Sequence, residues 1–151
     1  MGLSKGARER GLRGIIAGDL WVGLASAISG NAVSELDDPS YARQPAVFGD
    51  PVHQGSRSTV LNTNPIEFAF AFNSDKEIRH WFLIDSARGK GEVIATGVVD
   101  PQYMLEKKTS KLLTLSEAKG KKDLSPIYPR PAAGAKSIFQ QGDVWLYIEE
   151  E

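Results

Sequence analysis

Hydrophobic and polar positions alternate with period two over residues 66–72. Ile66, Phe68, Phe70 and Phe72 fall on one face; Glu67, Ala69 and Ala71 fall on the other. That pattern predicts a half-buried β-strand. Residues 79–99 predict two strands joined by a polar hairpin loop at Arg88-Gly89-Lys90-Gly91. In the first of these, Trp81, Leu83 and Asp85 alternate with His80, Phe82 and Ile84, so both faces are largely apolar. Such a strand is central in its sheet, or covered on its second side by another element or subunit. The closing strand, 143–149, places Val144, Leu146 and Ile148 on one face and Trp145 and Tyr147 on the other. Residues 20–25 predict the first core strand and 57–62 a short one. Residues 41–48 predict another, but Pro45 cannot donate to a ladder, which puts that strand at an edge or a bulge.

Between these strands the pattern breaks. Residues 26–40 and 49–56 are rich in Ser, Gly, Asn, Asp and Pro and read as loops, and Asn73-Ser74-Asp75-Lys76 reads as a turn. Residues 3–17 predict a short helix stopped at Gly18-Asp19. Gly6, Gly11 and Gly14 each cost that helix about 1 kcal/mol relative to alanine, so it needs packing or a partner. Residues 102–131 form an excursion with a short strand or helix near 111–118, then an extended return through Pro126, Pro129 and Pro131. The expectation is an all-β fold, a jelly-roll-like β-sandwich. Residues 1–19 form an N-terminal helical arm, and 20–151 form one domain with 102–131 as an insertion. A barrel is the second choice, and strands that do not alternate with helices argue against α/β.

Composition narrows the function more than the fold. The 151 residues carry a net charge of −1, so no global field favours nucleic acid or an anionic membrane. With no cysteine there is no disulfide, no Cys-based zinc site and no Cys nucleophile. No apolar run approaches the roughly 18 residues of a membrane span. The N-terminal stretch lacks a signal-peptide pattern, which points to synthesis in the cytoplasm.

Candidate chemistry is sparse. His53 and His80 show no H-E-x-x-H spacing and read as structural or solvent-exposed histidines. Asp37-Asp38-Pro39 reads as turn chemistry, since no calcium-loop pattern surrounds it. The Arg88–Gly91 stretch joins two strands, where a phosphate loop would open a helix. There is no G-x-S-x-G, and no serine has an obvious histidine partner. The expectation is a protein without catalytic residues, cofactor or metal. Trp21, Trp81, Trp145 and Tyr147 offer a carbohydrate platform, but their apolar strands favour core packing. Two basic clusters remain. Lys5, Arg8, Arg10 and Arg13 lie near the N-terminus; Lys107, Lys108, Lys111, Lys119, Lys121 and Lys122 lie in the excursion. Each reads as a solvated face or as a docking surface for an acidic partner. Neither has the interleaved aromatics that single-strand binding favours.

Several segments, in order, resemble a family of small proteins of tailed bacteriophages known as phage tail fibre or minor tail proteins. Leu20-Trp21-Val22-Gly23-Leu24 matches a strand of the form L-Y-V-G-L, and 40–49, beginning Ser40-Tyr41-Ala42-Arg43, matches S-Y-A-R-x-x-V. The apolar strand Ile66–Phe72 follows. Residues 78–89, containing His80-Trp81 and Asp85-Ser86-Ala87, match V-x-H-W-x-L-F-D-A-x-x-G, and Gly142-Asp143 opens a closing strand. The resemblance spans roughly 12–100 and 132–149; the long 102–131 segment and Pro45 depart from it. It implies a β-sandwich virion component without catalytic activity, homo-oligomeric, whose partners are other virion proteins and not nucleic acid or membrane. Capsid decoration, or a head-fibre base, is the alternative placement within it. A carbohydrate- or receptor-binding module is the competing reading.

Overall fold

The computed structural model describes residues 3–30, 32–134, 136–140 and 142–149. One helix, α1 (Lys5–Ile16), precedes β1 (Leu20–Ser29), β2 (Ala32–Glu35), β3 (Gln44–Ala46), β4 (Val52–Gln54), β5 (Arg57–Leu61) and β6 (Ile66–Ala69). The chain continues through β7 (His80–Ile84), β8 (Val93–Val98), β9 (Tyr103–Glu106), β10 (Lys111–Thr114), β11 (Leu124–Ile127), β12 (Lys136–Phe139) and β13 (Trp145–Glu149). Every strand pairing is antiparallel. The fold is therefore all-β with one short helix, as the alternation predicts.

The largest sheet runs β2-β1-β7-β8, with β3 also pairing with β1. β7 is central, which accounts for its apolar residues on both faces. On the inner face Val22 and Leu24 of β1 lie level with Leu83 and Trp81 of β7. These side chains meet a second layer that contributes Val60 from β5, Ile66 and Phe68 from β6, and Val144 and Leu146 from the C-terminal strand region. This gives the sandwich-like core. The second layer is built from the sheets β13-β5-β4 and β12-β6. On the outer face of the large sheet Ala25, Phe82 and Ile84 are buried under partly exposed Trp21, Ile28, Val33 and Val93.

Several elements differ from expectation. The loop expected at 26–40 begins as a hairpin, because β1 runs on to Ser29, turns at Gly30 (φ 59°) and returns as β2. The 49–56 loop contains β4, which turns at Gly55 (φ 61°) into β5. The strand expected over 41–48 pairs with β1 at 44–46 and makes a separate bridge from Phe48 to Asn62, which fits Pro45 at an edge. The strand at 66–72 ends at Ala69. Beyond it Asp38 binds the amides of Ala71 and Phe72 and pulls the chain off the alternation, so Phe72 is 64% exposed.

The 102–131 excursion is itself a three-stranded sheet, β10-β9-β11. Its return runs beside 74–79, where Ser74 N donates to Pro131 O and Ile78 N to Pro129 O. β12, in a stretch with no strand expected, closes the second layer against β6. Buried Asn62 ties that layer together. Its Oδ1 accepts from Gly142 N and Val144 N, and its Nδ2 donates to Asn64 O and Gln140 O.

Candidate functional site

The N-terminal helix is not a free arm. Ser4 caps it by accepting from Ala7 N at 3.1 Å, which offsets part of the glycine cost. Leu12 is fully buried in the main core, and a Cβ at Gly11 would press on Ile148. Glycine there lets the helix approach β13 closely. Arg8, expected at a partner interface, is only 4% exposed and points inward. Its Nε donates to Ser58 Oγ at 2.9 Å, Nη1 to Leu3 O and Nη2 to Gly55 O. A buried guanidinium must find such acceptors to offset its lost hydration. Arg13 pairs with Asp50 and Glu9, while Lys5 and Arg10 are exposed.

This docking creates a cluster that the sequence reading missed. His53 and Ser58 lie level across the β4–β5 hairpin, and His53 Nδ1 stands 2.6 Å from Ser58 Oγ. His53 Nε2 is 3.6 Å from Glu9 Oε1. Arg8 Nε only donates, so Ser58 Oγ accepts from it, while the imidazole tautomer sets which way the Ser58–His53 bond runs. The order serine, histidine, carboxylate has the outline of a nucleophilic triad. Yet Ser58 is wholly buried, and an Arg N–H on its oxygen withdraws electron density from it. The cluster acts as a strut between α1 and the hairpin. The turn Gln54-Gly55-Ser56 was the signal that makes the two residues cross-strand neighbours. His80 is half-buried on β7, level with Ala25 and Val98.

The Asp37-Asp38 pair serves the turn chemistry expected of it. Asp38 accepts from the amides of Ser40, Ala71 and Phe72. Burial works against its charge, but those amides outweigh it and hold its pKa below the usual carboxylate value. Asp37 lies with Glu35, Tyr41, Arg43, Arg88 and Gly89 around a cleft of about 490 Å³. The deep charges of this cleft are already matched, since Arg43 binds Glu35 through two nitrogens and also Ser86 and Gly89. Among the described residues no three of His, Cys, Asp or Glu converge to hold a metal ion, and no helix is long and apolar enough to cross a membrane.

The aromatic residues divide. Trp81 is buried at 3% exposure and Trp21 is half-buried, in line with packing roles. Trp145 and Tyr147 are more exposed than that expectation, at 40% and 43%, beside Leu61 of β5 and Val52 of β4, although Trp145 also meets the buried Trp81 edge-on at 6.3 Å. Their rings stack on each other at 5.3 Å, and Arg57 covers Tyr147 at 4.4 Å. The register sets Arg57 level with Glu149, on the side of Tyr147 away from Trp145. Both faces of Tyr147 are thus taken, whereas a stacked sugar needs an open ring face.

The exposed cations concentrate in the 101–131 lobe, which has seven lysines and arginines against three carboxylates. Lys107, Lys108, Lys111, Lys119, Lys121 and Lys122 are all exposed. Lys121 reaches Glu106 at 3.6 Å. A hydrogen bond from Thr109, and then the neighbouring Lys121 charge, lower the Glu106 pKa. One face of the lobe is closed by its own turn, which buries Leu113 and Ala118. On the other face Leu112 lies level with Leu105, and Tyr103 with Thr114 and Ile127. Leu112 is 52% exposed and Tyr103 41%, so this second face is apolar and open. Comparison with protein-family models, with curated proteins and with solved structures finds no match to this chain.

Proposed function

We propose that this protein is a non-enzymatic structural component of a tailed-bacteriophage particle, tail-fibre or minor-tail-like, that docks on neighbouring virion subunits through its lysine-bearing lobe. The observation that carries the docking role is the open apolar face of Tyr103 and Leu112 in a lobe whose lysines are all exposed. Lys107, Lys108, Lys119 and Lys122 make no ion pair among the described residues. An apolar centre with a charged border is the usual anatomy of a protein interface. The assignment to a phage particle rests on the ordered sequence motifs. A carbohydrate-binding role draws support from the exposure of Trp145, but the covered faces of Tyr147 rank it second.

The lobe is removable, because Gln102 N donates to Ile127 O at 2.8 Å and brings its two ends together. Replacing 103–126 with a short Gly-Ser link is expected to leave a folded domain that no longer enters particles. Incorporation of the shortened chain at the normal level would overturn the docking role.

A further inference from the structure

Strand register fixes where the charges of the lobe sit. Among the described strands β9, β10 and β11 pair only with one another, and the lobe closes at Gln102 and Ile127. Tyr103, Thr114 and Ile127 lie level at that joint, while Glu106, Lys111 and Leu124 lie level at the opposite end. That end is the tip of the lobe, where the 107–110 turn meets 123 through Lys107 N and Asp123 O at 3.1 Å. Five lysines gather there. Lys107 and Lys108 sit in the turn, Lys111 lies level with Glu106, Lys121 reaches Glu106, and Lys122 precedes Asp123. Only two carboxylates, Glu106 and Asp123, stand against them. The remaining two charges, Lys119 and Glu117, cancel in the sum, and Glu117 is held to Thr114 at the joint end. Residues 103–127 thus hold a net charge of +3 in a chain of −1, and the rest, with 12 basic and 16 acidic side chains, holds −4. The same register puts Tyr103, Leu105, Leu112, Thr114, Ser125 and Ile127 on the open face, with no charge among them.

We infer that the tip of the lobe recognises an acidic protein surface, where Lys107, Lys108 and Lys122 meet carboxylates of a neighbouring subunit and the uncharged face meets its apolar side chains. The inference rests on the docking role proposed above and adds the chemistry of the partner. Lys107, Lys108 and Lys122 are exposed and make no ion pair among the described residues, so complementary charge must come from outside. Three features select protein over nucleic acid. A face bearing Leu105 and Leu112 gains little from phosphate and sugar, but it suits the apolar centre of a protein contact. Residues 103–127 contain no arginine, the side chain that grips phosphate with two prongs. The −4 of the remaining chain also repels a long, dense polyanion more than a local patch of carboxylates.

The test is zero-length carbodiimide coupling in purified phage particles that contain the full chain, read by mass spectrometry of the joined peptides. The reagent links an amine to a carboxylate only where the two touch. Lys107, Lys108 or Lys122 is expected to be joined to Asp or Glu of a neighbouring virion protein. The variant Lys107→Glu/Lys108→Glu/Lys122→Glu is expected to enter particles at least about tenfold less than wild type, at an unchanged melting temperature. The corresponding glutamine triple should fall between the two. Tip lysines that couple only to carboxylates of their own lobe, in a chain that is present in particles, would overturn the inference and leave the docking role standing. A charge-reversed chain that enters particles normally would do the same. If the purified wild type binds a DNA duplex, and the reversed variant loses that binding yet still enters particles, the tip is a nucleic-acid contact and the inference falls. A chain absent from particles removes the docking role, and this inference with it. If the variant misfolds, the wild-type coupling pattern alone decides.

Discussion

Replacing Arg43 with methionine is expected to lower the unfolding free energy by about 2–3 kcal/mol, among the largest single-site effects in this fold. The Arg43 side chain is only 9% exposed and spends every N–H group on a named partner. Nε and Nη2 hold both oxygens of Glu35 at 3.0 and 2.9 Å; Nη1 and Nη2 hold the carbonyls of Ser86 and Gly89. Tyr41 adds its hydroxyl to Glu35 at 2.6 Å while accepting from Leu24 N. Burial, and then the hydrogen bond to Glu35, push the Tyr41 pKa far upward, so it stays a donor. The guanidinium thus clasps β2, the β3 approach and the β7–β8 loop at one point. Removing it strands the Glu35 charge and frees the loop. Breaking a fully buried pair costs about 3–5 kcal/mol, and the 29% exposure of Glu35 reduces that. Urea denaturation reads the loss directly. Adding Glu35→Gln to Arg43→Met should recover part of it, because the stranded charge is gone. Arg43→Lys should recover little, since an ammonium cannot make the two-pronged contact. A loss below about 1 kcal/mol for Arg43→Met would contradict this account of the clasp.

A methyl group at Gly97 is expected to be as damaging. Gly97 lies level with Trp81 across the β7–β8 pair, and a Cβ built there would clash with Cε2, Cζ2 and Nε1 of the indole. Trp81 is buried against both layers of the core, so the ring has no space to yield. Overpacking of this kind costs about 1–3 kcal/mol, and the rigid bicyclic ring puts Gly97→Ala near 3 kcal/mol. Gly23 bears the same relation to Phe82 on the outer face. The two glycines let two large rings lie flat against neighbouring strands, one on each side of the sheet. Thermal unfolding of Gly97→Ala, Trp81→Leu and the double variant forms a cycle. Strong non-additivity is expected, with the double variant more stable than the sum of the single losses implies. Additive losses would show that the two positions do not share that space.

The sequence was most legible where a strand had one buried face. The alternation of Ile66, Phe68 and Phe70 marks true core positions, and the apolar run through Trp81 and Phe82 marks the central strand. The alternation in β13 also separates Leu146 from Trp145 and Tyr147 correctly. It does not say which set faces inward, and bulk favoured the aromatics. The structure puts Leu146 inside because α1 and the large sheet cover that side of β5 and β13. Long-range polar partners were the least legible part. Asp38 binding Ala71 and Phe72, Arg8 binding Ser58, and Asn62 binding the 140–144 turn join residues far apart in the chain. Neither periodicity nor propensity carries such information. The lobe was half-legible: its lysines stood out, but its strands are four residues each, too short for alternation to register.

The central claim is that the protein is a structural part of a phage particle, and particle composition tests it most directly. Gradient-purified phage particles released from cells that carry the gene for this chain should contain it in fixed stoichiometry with the virion proteins. Imaging those particles should place density for the sandwich at a repeated position, with the 102–131 lobe against a neighbouring subunit. Purified particles that lack the protein, while infected cells contain it, would contradict the claim.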